Sequence, residues 1–155
     1  MKLTSIILLL FIVLNTNQPL NFNDLIFAYE NNLSDVTELM NKKEFTFEQT
    51  AEENGEKGMV WKYKPENDTN FTLFLAKFCL KKSCGGIHIQ TDNKEQYFAL
   101  KEQALKYGFE YDSSEVAEYE QEDAISFFYY YEDFTLIMSE GKSKGKQSYT
   151  ITLKK

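Results

Sequence analysis

The chain contains no arginine: all 17 of its bases are lysines, set against 24 acids for a formal net charge of −7. Arginine is the residue that reads phosphates and guanines in bidentate fashion. An acidic chain without it draws little from phosphate neutralisation, which argues against nucleic acid as a partner. The same charge disfavours peripheral attachment to anionic lipid. There is one histidine, His88, and no G-x-S-x-G, H-E-x-x-H or phosphate-loop motif accompanies it. A carboxylate pair could in principle run glycoside chemistry, but among 24 acids no pair is singled out by spacing. The chain is therefore expected not to be an enzyme and to need no cofactor or metal. No apolar run reaches the roughly 20 residues of an ordinary membrane span.

What is present begins with a leader-like N-terminus. Met1-Lys2 supplies a charge, Ile6 to Leu14 is continuously apolar, and Asn15 to Gln18 is polar. Charge, a short apolar run and a polar end make a secretory signal. The expectation is a signal over residues 1–20, cut near Thr16 to Gln18, and an exported protein of periplasm or medium. Retention of the run as an anchor is the alternative. Cys79 and Cys84 then read as a disulfide, because an even, closely spaced pair oxidises in such a compartment. Their spacing is not C-x-x-C, and a single histidine cannot complete a tetrahedral metal site.

One pattern is used twice. At an offset of 64, Leu33, Val36 and Met40 fall on Tyr97, Leu100 and Ala104, Phe45 on Phe109, and Phe47 on Tyr111. Each copy is an amphipathic helical run passing into alternating aromatics, and each is followed by strand-like sequence. A self-similarity of this kind fixes an architecture. Residues 21–31 add a helix in front of the first copy, and Asn32 caps the next. Asp92 with Glu95 is read as a capping pair for the helix of the second copy, and Gly108 as its stop. Strands are expected over Glu44–Thr50, Met59–Lys64, Asn70–Leu80, Ile87–Gln90, Phe109–Tyr119, Ala124–Tyr131, Phe134–Ser139 and Ser148–Leu153. Glu52–Gly58, Glu132-Asp133 and Gly141–Gly145 read as turns. The fold class is α+β: a single domain over 21–155, built from repeats at about 21–91 and 92–155. Together they make an antiparallel sheet of about eight strands with helices on one face.

Alternation along these strands sorts the side chains. Phe45, Phe47, Met59, Trp61, Tyr63, Leu73, Leu75, Ile87, Ile89, Tyr149, Ile151 and Leu153 belong with the helices. The opposite face takes the threonines and lysines, but also Phe74, Phe78, His88, Phe128 and Tyr130. Exposed aromatics rimmed by polar groups mark an interaction surface, so these five are the candidate binding residues. Phe127 to Tyr131, five aromatics in a row, reads either as a central strand buried on both faces or as a stacking platform for a glycan through Tyr129 and Tyr131. Glu110 to Asp123 holds seven acids and no base, which suits a solvated edge that resists strand pairing.

With its leader, its repeated helix-to-aromatic junction and a segment such as Lys106-Tyr107-Gly108-Phe109, the chain resembles small, uncharacterised secreted proteins of Bacteroidota. Its two helix-and-four-strand units are also similar in architecture to beta-lactamase inhibitory proteins. That likeness implies a non-catalytic protein that binds another protein across the open face of its sheet. It is a likeness of fold and carries no residue over. The expected function is an exported, monomeric, non-catalytic protein-binding module of inhibitor or immunity type. The alternative is an envelope protein that binds a glycan or other small ligand; a carboxylate-dependent hydrolase ranks third.

Overall fold

The computed structural model describes residues 19–53, 56–65, 72–80, 83–119 and 122–155, with the side chains of 51–53, 56–57, 80, 83–85, 117–119 and 122–123 outside that description. The leader-like run and the cleavage region at Thr16 to Gln18 therefore lie outside the described residues. Among the described residues no helix is long and apolar enough to cross a membrane.

The elements run α1 (Phe22–Glu30), α2 (Leu33–Lys42), β1 (Thr46–Glu53), β2 (Glu56–Tyr63), β3 (Leu73–Leu80), β4 (Ser83–Thr91), α3 (Lys94–Tyr107), β5 (Glu110–Tyr119), β6 (Glu122–Tyr131), β7 (Phe134–Ser143) and β8 (Lys146–Lys154). All eight strands join one antiparallel sheet in the order β1-β2-β3-β4-β8-β7-β6-β5. Each half is a meander, and the two meet where β4 pairs with β8. Helices α1 and α3 both lie against β4 and β8, so the helical layer covers that seam.

Local chemistry sets the helix ends. Asn21 accepts from the Asp24 backbone N–H while Asp24 accepts from that of Asn21, a reciprocal cap. Asn32 caps α2 through the N–H groups of Ser34 and Asp35. The cap of α3 is Asn93, which accepts from Gln96, and not Asp92. Asp92 instead accepts from the Thr72 N–H at 2.9 Å and ties down the entry to β3. Gly108 ends α3 at φ +120°, where a side chain would be strained and would meet the Tyr131 ring.

The strands are longer than alternation alone suggests. β1 and β2 run on to Glu53 and back from Glu56, and β7 continues to Ser143, so much of the sequence read as turns at 52–58 and 141–145 is ladder. Polar residues there pair backbones as well as apolar ones do, because the ladder is indifferent to the side chain. β3 is Leu73–Leu80; the expected start at Asn70 lies outside the described residues. Cys79 and Cys84 are register partners across β3 and β4.

The core lies between the helices and one face of the sheet. Trp61, Leu73, Leu75, Ile87, Ile89, Leu136, Met138, Ile151 and Leu153 are fully or almost fully buried there, with Leu25, Val36, Met40, Tyr97 and Leu100 from the helices. Leu20 joins them, and its carbonyl accepts from Gln96 Nε2 at 2.9 Å. Phe47, expected with the helices, is a correction. It is the register partner of Trp61, but lies 51% exposed on the edge strand; Tyr111 on the other edge, partner of buried Tyr129, is 56% exposed.

Lys77 is the exception within the core. It points into the helical layer, is fully buried, and donates to the carbonyls of Ala28, Tyr29 and Asn31 at the end of α1. Those carbonyls have no partner within the helix, so a strand side chain closes it. Burial pushes the Lys77 ammonium down to about 8.

Candidate functional site

Cross-strand partners share a face, so the register assigns the side of the sheet away from the helices. Its central row is Val60, Ala76, His88, Thr152, Ile137 and Phe128, each the partner of the next across β2, β3, β4, β8, β7 and β6. The row is apolar at both ends and holds its polar pair in the middle. His88 Nδ1 and Thr152 Oγ1 share a hydrogen bond of 2.9 Å, which orients the ring.

All five candidate residues lie on this face, in two groups. Phe74 and Phe78 flank Ala76 on β3, and Phe128 and Tyr130 lie on β6. Four strand spacings separate the groups, on the order of 19 Å. His88 sits between them on the seam. What sequence reads as one aromatic cluster is therefore a pair of aromatic flanks joined by Ala76, Thr152 and Ile137. Phe78 lies over Gly58, where an added Cβ would come within 2.7 Å of the ring. Lys62 Nζ stands 5.2 Å from the centre of the Phe74 ring, a cation held over an aromatic face. Tyr130 is 45% exposed; Phe128 is half-buried.

The five-aromatic run resolves by face. Tyr129 is buried, and Phe127 and Tyr131 pack against the helical core. Tyr131 is ringed by Tyr107 and Phe109, with centroids 5.5 and 5.6 Å away. Tyr129 and Tyr131 thus belong to the covered face, which removes them as a glycan platform. The strand is not buried on both sides either, since Tyr130 faces solvent.

Beside the central row runs a polar one: Lys62, Phe74, Gln90, Thr150, Ser139 and Ser126. Small side chains hollow it into a cleft of 520 Å³ lined by Gln90, Ser126, Ser139, Ser148, Thr150 and the β7–β8 hairpin. Ser126 and Ser139 are hydrogen-bonded at 2.7 Å, and Gln90 Nε2 donates to Ser148 at 3.3 Å. The cleft escaped the sequence reading because serine and threonine on a strand look like ordinary solvated positions. Only the register shows three of them, Thr150, Ser139 and Ser126, side by side.

The acidic segment is the edge strand β5, where Glu110, Tyr111, Asp112, Glu115 and Val116 are exposed. Among the described residues no three His, Cys, Asp or Glu side chains gather closely enough to hold a metal ion. In comparisons with known proteins, no family model, curated protein or solved structure matches the chain.

Proposed function

We propose that this is an exported, non-catalytic module that binds a protein partner across the open face of its sheet, in the manner of an inhibitor or immunity protein. One observation carries the reading: a row that is apolar at both ends, with His88 and Thr152 between, crosses the face from Val60 to Phe128, flanked by Phe74, Phe78 and Tyr130. Aromatic anchors in a polar surround are the usual composition of a binding hot spot. Binding through that face is also what the resemblance drawn from sequence to beta-lactamase inhibitory proteins would imply. The leader-like N-terminus supports export, and any cleavage is expected before Leu20, whose side chain completes the core.

Two further elements belong to this reading. A Cys79–Cys84 disulfide fits an exported protein, and the two are register partners across β3 and β4. An origin by duplication is supported by register. β1 and β5 each carry a bulge, just after Phe47 and just after Tyr111, at the same offset of 64 that relates the two helices. The seam pairs His88 with Thr152, residues separated by that same interval.

The test is capture of a stoichiometric partner from envelope and secreted fractions with the purified protein, followed by the Phe128→Ala/Tyr130→Ala variant. The expected result is loss of the partner with the melting temperature retained. Undiminished capture by a folded variant refutes this face as the docking surface.

A further inference from the structure

The polar cleft does not end at Gln90. A second hollow of 160 Å³ shares Gln90, Ser143 and Ser148 with it and extends to Phe74 and Lys146. The two form one groove that crosses the sheet from Ala124 on β6 over β7, β8 and β4 to Phe74 on β3. Four strand spacings make it about 19 Å long, the span of about six residues of extended chain.

Its charge is opposite to that of the molecule. The β7–β8 hairpin forms one wall, with Lys142 and Lys144 lining the larger hollow and Lys146 the smaller. Among the described lining residues the sole carboxylate is Asp92, already engaged by the Thr72 N–H. Lys62 stands at the Phe74 end. On a chain of net charge −7 this is a local reversal of sign. The floor between the lysines is hydroxyl and amide: Ser126, Ser139, Ser148, Thr150 and Gln90. Such groups donate hydrogen bonds readily, and their small size lets a backbone approach the sheet.

We propose that this groove receives an extended acidic segment of the protein partner, about six residues long, with its carboxylates along the Lys142–Lys144–Lys146 wall. The inference rests on the open face being the docking surface and adds what occupies it. Charge complementarity of this kind gives selectivity and a fast, salt-sensitive encounter.

The probe is an acetylated, amidated hexaglutamate peptide, titrated into the purified 15N-labelled protein at low salt, with hexalysine as control. The expected result is saturable amide shifts at Gln90, Ser139, Gly141, Ser148 and Thr150. Affinity should fall at least tenfold in the Lys142→Glu/Lys144→Glu/Lys146→Glu variant, and hexalysine should leave these amides unmoved. Absence of groove shifts at millimolar peptide overturns the proposal, as do equal shifts with hexalysine or unchanged affinity in the variant. The Phe128→Ala/Tyr130→Ala capture experiment reads the docking face separately. If that variant loses its partner while hexaglutamate ignores the groove, the acidic occupant falls and the docking face stands.

Discussion

Lys77 offers a quantitative test of the core, through the pH dependence of stability. In the fold its ammonium is pushed from the ordinary 10.5 down to about 8 by burial. Between those two values the unfolded chain holds the proton and the folded chain has released it, so stability must rise with pH across that window. A difference of 2.5 pH units corresponds to about 3 kcal/mol, most of it gained by pH 10. Other lysines and the tyrosines titrate in the same range, so a reference is needed in which only this group is missing. Lys77→Met supplies it: methionine is unbranched and of similar length, and Met138 already fills a buried position on the neighbouring half of the same face. Guanidinium unfolding of both proteins at pH 7, 8, 9 and 10, followed by Trp61 fluorescence, gives a difference curve. The wild type should gain on the variant by about 3 kcal/mol over the window. The carbonyls of Ala28, Tyr29 and Asn31 oppose burial by favouring the charged form. A flat curve would mean that they cancel it, and would refute the depressed ammonium. A falling curve would mean that the charged lysine is itself a source of stability.

Three substitutions probe other parts of the fold. Gly108→Ala forces a side chain into φ +120° and against the Tyr131 ring at 2.8 Å, and should cost about 2 kcal/mol in denaturant unfolding. Trp61 is fully buried, with no partner for its indole N–H among the described residues, so Trp61→Phe should cost far less than Trp61→Ala, for which about 3–5 kcal/mol is expected by thermal unfolding. Asn21→Ala removes the reciprocal cap of α1 and should cost about 1 kcal/mol; no change in melting temperature would show that Asp24 holds the helix start alone.

The architecture was legible because two periods ran through the sequence without conflict. Helical spacing at Leu33, Val36 and Met40 and alternation at Trp61 and Tyr63 or Ile87 and Ile89 each put apolar groups on one side, and the structure buries Val36, Met40, Trp61, Ile87 and Ile89 there with Leu33 and Tyr63 packed against them. Strand ends were less legible, since Glu52, Glu53, Lys142 and Ser143 carry turn-like side chains on paired backbone. Phe47 misled for a different reason: its face is correct, but an edge position lies beyond the helices, and distance from the seam is not written in alternation. Lys77 shows the converse. A lysine among Leu75, Ala76 and Phe78 looks like surface until the end of α1 is brought over it. The open face of the sheet was partly legible. Its aromatics follow from phase, whereas their separation into two flanks and the groove beside them depend on strand order, which no local pattern encodes.

The seam between β4 and β8 has a consequence for the order in which the protein can assemble. β4 is made early, yet one of its edges stays open until β8 arrives: Thr91 waits for Tyr149, and Ile87 for Leu153. The helical layer rests on both of these strands, so its footing too is incomplete until then. During synthesis the first meander can pair within itself but cannot close its core. Pairings so distant along the chain pay their loop-closure entropy late and fold slowly. Completion therefore waits for β8, whose arrival closes the sheet and the core beneath the helices in one cooperative step.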